Sequence, residues 1–369
     1  MLLGPRVGVI AWGTKSSKAP FGRWSYSIAE VVNALRQRGI NAGAVSIQDL
    51  SQGQKISFWR QGTDRLWHAE KQPVPDIFYN RILSRRREQS PTVQKTLRSL
   101  QEQGKILFNP GYLSKELVYN SLVDSDVCSY LPETLLQPSP EQVAETVPQW
   151  KTIYLKPLNS CAGKGIYRLH KGNGRWQVIG IRNKRPINFS FQDDRTLCLW
   201  MEKLFRRKKY LAQQGILLDR YRNRPYDFRV LVQKNEAGEW TFVNTGIRLA
   251  GRGQVVTHRP NGGQIVFPEK MFNRRFGPHK WKPFVKEISQ MSVSAAKVLE
   301  ERHGGTFGIL TLDVGWQSKE KKLWILEINS KPGRFDEPHI QRKSYDLLAA
   351  YLRHLWVQRG MKDENIHSL

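Results

Sequence analysis

The sequence has very few cysteines: only Cys128, Cys161 and Cys198 occur in 369 residues, and they lie far apart. Such sparse, widely spaced cysteines fit neither a disulfide framework nor a cysteine-ligated zinc site. Because proteins with few cysteines are typical of reducing compartments, this composition predicts a cytoplasmic protein.

Long apolar runs are also missing. No segment approaches the roughly 20 apolar residues that a membrane-spanning helix needs. The N-terminal segment MLLGPRVGVIAWG is apolar, but it lacks the basic lead, the long hydrophobic region and the cleavage site of a signal peptide. It predicts a first β-strand instead, so we expect a soluble, intracellular protein without a membrane span.

Acidic residues are scarce compared with basic ones. The chain has 32 Asp and Glu against 59 Lys and Arg, a formal net charge of +27. Such an excess indicates an anionic partner, which could be a nucleic acid, an anionic polymer, an acidic protein or a membrane surface. A second interpretation is that the charge only keeps a folded surface soluble. No nucleic-acid-binding motif is present, which disfavours nucleic acid. The basic runs lie at residues 85–87, 182–185 and 206–209, and at Arg220, Arg222 and Arg224.

Repeats and low-complexity stretches are absent as well, which argues against a solenoid and against extended disorder. Hydrophobic residues make up 39% of the chain and aromatic residues 11%, enough to build packed cores. Since 369 residues exceed the size of one small core, we expect two or three packed subdomains.

The first part of the chain, residues 1–112, shows the order of strand, loop, helix and strand that is typical of an open parallel sheet. We therefore predict a small α/β domain there. Its strands are predicted at RVGVIAW, NAGAVSI, residues 76–81 and residues 105–110, and its helices at residues 25–38 and 90–103.

The rest of the chain is richer in strands, so the overall class is α/β with α+β character. We predict subdomains over residues 113–214 and 215–360, and a tail over 361–369. Helices are predicted at residues 115–122, 140–145, 284–302 and 345–357, and strands at TIYLKP, GIYRLHK, GRWQVIGI, DFRVLVQ, WTFVNTGIRL, QVVTH, TLDVGWQ and LWILEIN.

Oxygen-bearing side chains lie on the last two predicted strands. Because side chains alternate along a strand, Leu323, Ile325, Glu327 and Asn329 are predicted to share one face, with Glu327 and Asn329 about 7 Å apart. Asp313 and Glu327 are nearly equally far from the centre of the connecting loop QSKEKK, so a hairpin would bring them face to face. Two carboxylates and an amide oxygen without His or Cys indicate Mg²⁺ or Mn²⁺. Ordinary solvent-facing residues are the alternative.

A glycine-rich stretch, NSCAGKGIYRL, follows the predicted strand TIYLKP. Its small residues would let backbone N–H groups approach an anion, and Lys156 and Lys164 would point at the same region. The P-loop pattern GxxxxGK[ST] is absent. The stretch therefore indicates either a plain hairpin turn or a loop that holds phosphate.

Two arginines occur within apolar strands, Arg229 in PYDFRVLV and Arg248 in NTGIRLA. An arginine beside core positions needs an anionic partner. That partner could be a buried carboxylate such as Asp227 or Asp219, or it could be a phosphate or oxyanion of a substrate.

In this order the motifs resemble those of the ATP-grasp superfamily, and in particular its YheC/YheD branch of endospore coat-associated proteins. The resemblance covers residues 4–360. It implies an ATP-grasp fold, in which a small N-terminal open α/β domain precedes two α+β subdomains that grip ATP. The stretches that carry it are FNPGYLSKELVYNSL, LPET, KPLNSCAGKGIYRL, QQGI, RPYDFRVLVQKN, LDVGWQ and LEINSKPGRFD.

The resemblance implies how ATP would be held. Lys115 and Lys156 match the two ATP lysines, and Asp219 stands where a ribose contact is possible. The sequence departs from the pattern at two places. The hinge carries Gln where many members carry Glu, which affects the implied adenine contact, and Ser114 stands where Asp often precedes the first lysine. The implied phosphate loop is Ser160, Gly163, Lys164 and Gly165, and the implied adenine hinge is Gln213, Gln214 and Ile216.

The resemblance also implies a complete catalytic set. Arg229 matches the arginine of a DxR strand that contacts phosphate, and Arg248 matches the arginine near the reacting acyl phosphate. Lys156 is the third implied catalytic residue. The implied metal ligands, which would hold two Mg²⁺ ions or Mn²⁺, are Asp313, Glu327 and Asn329.

Most proteins with this resemblance are carboxylate–amine ligases that form an amide through an acyl phosphate. The positive charge suggests an acidic peptide or polymer as the carboxylate substrate, with an amine as the second substrate. Two alternatives stay open: a kinase that uses the same fold on a polyanion, and a non-catalytic ATP-binding protein of the spore coat. The spore coat association rests on the resemblance alone.

Overall fold

A computed structural model describes residues 5–51, 55–160, 164–182, 185–251, 264–266 and 268–367. Within these ranges the strands form three sheets of six strands each. The predicted strand QVVTH, residues 254–258, lies outside the described residues. None of the helices in this part of the chain combines the length and the apolar character that a bilayer crossing requires.

The first sheet is built from the N-terminal part of the chain. Its strands are β1 (Arg6–Ala11), β2 (Asn41–Ser46), β3 (Lys55–Gln61), β4 (Trp67–Pro73), β5 (Ile77–Asn80) and β6 (Ile106–Phe108), and its helices are α1 (Ser25–Gln37), α2 (Arg85–Glu88) and α3 (Pro91–Glu102). The order is β4-β3-β2-β1-β5-β6. β1 pairs in parallel with β2 and β5, and β5 with β6, as the sequence pattern predicted.

An antiparallel hairpin, β3 and β4, extends this sheet and was missed by the sequence analysis. Ile56 and Phe58 alternate with less buried residues, which is the signal that could have revealed β3. The Phe58 ring lies on Gly43, where a Cβ atom would come within 2.4 Å of it, so this close approach requires glycine.

The second sheet has the order β11-β10-β9-β8-β12-β7. Its strands are β7 (Thr134–Leu136), β8 (Thr152–Pro157), β9 (Tyr167–Gly172), β10 (Arg175–Arg182), β11 (Arg185–Phe191) and β12 (Tyr210–Gln214), and the helices in this part are α4 (Lys115–Leu122), α5 (Pro140–Glu145), α6 (Val147–Trp150) and α7 (Asp194–Phe205). All of its strand pairs are antiparallel. Trp176, Leu197 and Met201 are buried in a core between the sheet and its helices.

The third sheet contains the two strands with the oxygen-bearing side chains. Its strands are β13 (Arg220–Tyr221), β14 (Arg224–Lys234), β15 (Trp240–Leu249), β16 (Gln264–Val266), β17 (Ile309–Gln317) and β18 (Lys322–Asn329), and its helices are α8 (Pro268–Phe276), α9 (Lys282–His303) and α10 (Pro338–His367). The order is β16-β15-β14-β17-β18, with β13 paired to β14. Helix α10 is longer than the predicted helix over residues 345–357.

Helix α10 joins the first and third sheets through one apolar core. Leu348 and Leu352 of this helix lie in the same buried cluster as Val9 of β1 and Leu231 of β14. Helix α9 packs on the third sheet in a separate core. The C-terminal helix therefore fixes the N-terminal domain against the sheet that holds the candidate site.

A second connection between these parts is made by Asn109, which directly follows β6 and is fully buried. Its side-chain Nδ2 donates to the backbone carbonyls of Ile309 and Ser330, and its Oδ1 accepts from the Gly308 and Ile309 N–H groups. One amide side chain thus satisfies backbone groups at the start of β17 and just after β18.

We predict that Asn109→Ala lowers the free energy of unfolding by about 2–4 kcal/mol, because buried backbone groups lose their partners. Asn109 and Asn173 share a left-handed backbone, with φ of 51° and 50°, but Asn173 is exposed in a turn. Asn173→Ala is therefore the matched control for the backbone effect. Urea denaturation of both variants measures the difference, and equal losses would contradict the anchoring role of Asn109.

Candidate functional site

Four residues on neighbouring strands of the third sheet form one row. Gly246 on β15 pairs with Arg229 on β14, Arg229 with Asp313 on β17, and Asp313 with Glu327 on β18. Directly opposed residues of antiparallel strands point to the same face of the sheet. The structure thus makes Asp313 and Glu327 cross-strand partners, as the hairpin argument predicted. Asn329 lies on the same face, opposite Thr311.

A β-bulge changes the pattern of β18 around Leu326. Asp313 pairs with Glu327, but the next residue of β17, Val314, pairs with Ile325. The extra residue reverses the alternation, so Ile325 points to the core face and Glu327 to the opposite face. The prediction that Leu323 and Ile325 share the face of Glu327 was therefore wrong, because simple period-two counting cannot detect a bulge.

Glu327 is neutralised by Lys115 at the start of α4. The helix begins there because Ser114 caps it: the Ser114 hydroxyl accepts from the Leu117 N–H at 3.0 Å. The Lys115 Nζ atom lies 3.1 Å from Glu327 Oε1 and donates to the Ser160 carbonyl at 3.3 Å. Lys115 thus connects the glycine-rich loop to the third sheet.

Asp313 is neutralised by Arg248 on β15. The Arg248 guanidinium forms two bonds of 2.8 and 2.9 Å to the Asp227 carboxylate, and its Nη2 lies 2.8 Å from Asp313 Oδ2. Burial alone would lower the pKa of Arg248, but the Asp227 and Asp313 carboxylates outweigh it and raise this pKa. The predicted ion pair between Arg248 and a buried carboxylate therefore forms with Asp227. Arg248 also contacts Asp313, which is a candidate metal ligand.

Arg229 lies near the charged side chains of Asp313 and Arg248, and the hydrogen-bonding capacity of its guanidinium is only partly used. Its Nε atom is buried and has no hydrogen-bond partner in the described part of the chain. The guanidinium lies 5.2 Å from the centre of the Phe335 ring. Burial lowers the pKa of Arg229, and the neighbouring Arg248 adds to this effect against the attraction of Asp313. A buried arginine in this state fits an anionic ligand.

Lys156 approaches from the second sheet. It lies near the end of β8 and donates to Gln213 Oε1 at 2.5 Å, and the Gln213 amide donates to the Thr134 hydroxyl at 3.0 Å. Burial, together with the nearby Lys115 charge, lowers the pKa of Lys156 to about 8, although Glu327 and Asp313 oppose this shift. Lys156 thus faces the third sheet across the gap between the sheets.

A cleft of about 510 Å³, including its open mouth, separates the second and third sheets next to α4. Most of the residues that line it are apolar, and its polar side chains include Lys115, Lys156, Gln213 and Glu327. A mostly apolar lining with a few polar groups is typical of a ligand site. It is lined by Leu113, Lys115, Val118, Tyr119, Leu131, Thr134, Lys156, Leu211, Gln213, Ile325, Leu326, Glu327 and Ile328.

The glycine-rich loop is joined to this cleft through Lys115, although none of the described loop residues lines the cleft. Gly165 has φ of +75°, and a Cβ atom there would lie 3.1 Å from the Pro157 ring, so both backbone and space favour glycine. Ser160 contacts Lys115 through its carbonyl, and Lys164 is exposed. Gly163 lies outside the described residues. A phosphate-binding role for the loop stays a prediction.

Three residues of the implied nucleotide site lie apart from the cleft. Gln214 and Ile216 follow Gln213 but do not line it, and the Gln214 N–H already donates to the Glu133 carbonyl at 2.8 Å. Asp219 accepts from Tyr226 at 2.9 Å, and its carboxylate also contacts Arg275 and Ser318. A ribose contact through Asp219 stays a prediction, and it would require these bonds to rearrange.

The donor set fits a hard divalent cation. Asp313, Glu327 and Asn329 present only oxygen ligands on one face. Within the described ranges, no three His, Cys, Asp or Glu side chains form a group that could hold a metal, so the proposed donor set depends on the Asn329 amide as its third member. Lys115 and Arg248 hold the two carboxylates in place, and a bound cation would compete with them.

Two buried carboxylates near the site were missed by the sequence analysis. Glu337 fills the space above Gly246, where a Cβ atom would come 2.6 Å from its Oε1, and so adjoins the charged row. Burial, reinforced by Asp336, raises the pKa of Glu337. Glu88 forms a buried ion pair with Lys331, just after β18. A sequence gives no signal for either, because both depend on contacts between distant segments.

The three sheets and the cleft between the last two define an ATP-grasp fold. D-alanyl-alanine synthetase A from Vibrio cholerae O1 biovar eltor str. N16961 shares this architecture at 10% identity and a TM-score of 0.51, covering 95% of this chain and 99% of that chain. The ATP-grasp ligase PsnB, in complex with a minimal precursor, matches at 14% identity and a TM-score of 0.51, covering 94% and 100%.

The particular family is shown by the sequence. Residues 104–355 match the model of the YheC/D like ATP-grasp family, so the chain belongs to that family. Endospore coat-associated protein YheD of Bacillus subtilis (strain 168) is 27% identical, over 95% of this chain and 79% of the relative. The predicted fold and the predicted family are both confirmed.

We predict a pH-dependent effect of Lys156→Met on stability. The pKa of Lys156 falls from 10.5 to about 8 on folding, so folding opposes its protonation. This penalty is fully present below pH 8 and disappears as the pH rises to 10.5. The stability of the variant relative to the wild type should therefore fall across that window.

Unfolding midpoints in urea at several pH values measure this trend. Lys95→Met is the control, since Lys95 is exposed on α3 and its ammonium keeps its solvent. A difference between Lys156→Met and wild type that does not change with pH would contradict the buried-lysine argument.

Proposed function

We propose that the protein is an ATP-dependent carboxylate–amine ligase that forms an amide through an acyl-phosphate intermediate. The observation that carries this proposal is the cross-strand pair Asp313 and Glu327, neutralised by Arg248 and Lys115 at the edge of an apolar cleft. The arrangement combines ligands for a divalent cation with cations for phosphate, which phosphoryl transfer requires. The ligase names of the structural neighbours give further support.

The cleft would take the nucleotide with its base against the apolar walls. Leu211 and Leu326 supply apolar surface, and Gln213 offers an amide that is already oriented by Thr134. The phosphates would then extend towards Lys115 and Lys156. Both ammonium groups and Arg229 would offset their negative charge, and the unpartnered Arg229 Nε supplies a donor for this purpose.

Asp313, Glu327 and Asn329 would hold Mg²⁺, or Mn²⁺ in its place, and two ions are expected. The bound metal would neutralise the phosphate oxygens and orient the terminal phosphoryl group. Lys115 and Arg248 would be released from the carboxylates as the cation takes their place. Lys115 then becomes available to the phosphates, and Arg248 to the reacting acyl group.

In the first step a carboxylate oxygen of the substrate attacks the γ-phosphorus, and the bond to ADP breaks. In the second step an amine attacks the acyl carbon, loses a proton and displaces inorganic phosphate. Arg248 would stabilise the acyl phosphate and the tetrahedral oxyanion through charge-assisted hydrogen bonds. The loop that contains Ser160, Lys164 and Gly165 would exclude water, which would otherwise hydrolyse the intermediate.

The substrate class proposed from the charge is an acidic peptide or polymer. The net charge of +27 would attract such a chain. A peptide substrate has support from the solved complex of PsnB with the precursor peptide PsnA2. The name of YheD supports an association with the endospore coat, which would follow synthesis in the cytoplasm.

We predict that Glu327→Gln lowers turnover at least about a hundredfold, because a charged metal ligand is lost. The assay supplies γ-labelled ATP, Mg²⁺, amino acids and an extract of a spore-forming bacterium. In a parallel reaction hydroxylamine replaces the amino acids and traps acyl phosphate as a hydroxamate. Glu320→Gln on the same hairpin is the matched control, since Glu320 is exposed in the turn. That variant should keep wild-type turnover.

The fate of the label distinguishes the candidate functions. Inorganic phosphate that appears only with extract and amine, together with a trapped hydroxamate, would support the ligase. Label that stays on a metabolite or polymer would replace the ligase with a kinase. ATP binding without any turnover above that of Glu327→Gln would indicate the non-catalytic binding protein instead.

A further inference from the structure

Two of the basic runs in the sequence lie against the same short segment of the candidate site. That segment, residues 157–160, connects β8 to the glycine-rich loop. One run, residues 85–87, belongs to α2 of the N-terminal domain. The other, residues 206–209, forms the turn between α7 and β12. About 120 residues separate the runs along the chain, so only the fold brings them to this place.

The N-terminal run is held by Arg85. Its guanidinium lies 3.4 Å from Asn159 Oδ1 and donates to the Leu113 carbonyl at 2.5 Å. It also lies 5.1 Å from the centre of the Tyr112 ring. Arg86 and Arg87 follow on the same helical turn and are exposed, with Arg87 stacked on Trp12. Arg85 thus serves as the anchor, and the next two arginines face solvent.

The second run is held by its backbone. The Leu158 N–H donates to the Lys209 carbonyl at 3.0 Å, and Tyr210 pairs with Pro157 in the sheet. Because the backbone is fixed by the strand that follows, the charged side chains are free to face outwards. All four residues of the turn, residues 206–209, are exposed.

Few of these basic side chains form ion pairs with the carboxylates that the structure describes. Arg206 lies 3.8 Å from Glu202, an exposed pair that contributes little. In the described part of the chain, no ion pair involves Arg86, Arg87, Arg207 or Lys208. Lys164 of the glycine-rich loop adds another exposed charge. Because most of these residues lack a carboxylate partner within the described ranges, they add little to the stability of the fold and stay available to an anionic partner.

We propose that these two runs form a basic rim that docks an acidic polypeptide and guides one of its side-chain carboxylates to the phosphate end of the cleft. The basic rim consists of Arg86, Arg87, Lys164, Arg206, Arg207, Lys208 and Lys209. The inference rests on the proposed ligase function, since a substrate must present a carboxylate beside the terminal phosphate of ATP.

An acidic polypeptide fits this rim better than a nucleic acid. Single-stranded nucleic acids are usually held by exposed aromatic rings on which the bases stack. Among the described aromatic residues, Tyr26 and Phe189 are the strongly exposed ones, and neither belongs to the rim. A nucleic acid also offers no carboxylate for the proposed reaction. Glutamate-rich chains supply both the charge and the reacting group.

The test measures binding of a fluorescein-labelled deca-glutamate peptide to the full-length protein by anisotropy. The variant Arg207→Glu with Lys208→Glu should weaken binding about tenfold, because attraction becomes repulsion at two positions. Arg86→Glu should also weaken it, from the other side of the segment. Affinity should fall as salt is added, since such contacts are screened.

The matched control is Lys95→Glu with Arg98→Glu, which changes the net charge equally on exposed positions of α3. Near wild-type binding by this control would support the basic rim. Equal weakening by the two double variants would overturn the basic rim, because net charge alone would then explain the attraction of the peptide. Equally tight binding of an oligo-dT probe would also overturn it, in favour of a nucleic acid.

ATP binding, measured in parallel with a fluorescent analogue, separates this inference from the proposed function. Bound ATP and ligase turnover without peptide binding would overturn the basic rim and leave the ligase intact. Failure to bind ATP or to turn it over would contradict the ligase itself, and with it the reason for an acidic substrate at the rim.

Discussion

The candidate site depends on a balance of four charges, which three strands and one helix bring together. Asp313 and Glu327 are cross-strand partners, and two carboxylates this close repel unless cations neutralise them. Arg248 and Lys115 supply that neutralisation, one from within the sheet and one from helix α4. A metal would compete with Lys115 and Arg248 for the same carboxylates. The two ion pairs therefore keep the carboxylates in position until nucleotide and metal bind, and would then break.

The rest of the fold serves to bring these charges together. Lys115 belongs to the segment that enters the second sheet, Arg248 to β15, and Lys156 reaches across from β8. Asn109 and helix α10 fix the N-terminal domain to the third sheet at the ends of β17 and β18. The buried pair of Glu88 and Lys331 adds a charged contact at the same place. The site is therefore assembled at the meeting point of all three sheets.

Much of this could be predicted from the sequence, because strand periodicity and loop position are local properties. That Asp313 and Glu327 lie near each other followed from their nearly equal distances to the hairpin loop. Their exact pairing did not, because an unbroken register would place Asp313 opposite Leu326, and the bulge that moves its partner to Glu327 has no clear residue signature. Contacts such as Glu337 above Gly246 were also beyond the sequence, since they join segments about 90 residues apart. The roles of the hinge residues Gln214 and Ile216 stay predictions.

The most direct test of the central claim is anomalous diffraction from crystals grown with Mn²⁺ and a non-hydrolysable ATP analogue. The account predicts a manganese peak bound by Asp313 and Glu327, with Lys115 and Arg248 released from these carboxylates and the base in the apolar cleft. Intact ion pairs from Lys115 to Glu327 and from Arg248 to Asp313, with the nucleotide bound and no metal between the strands, would contradict it.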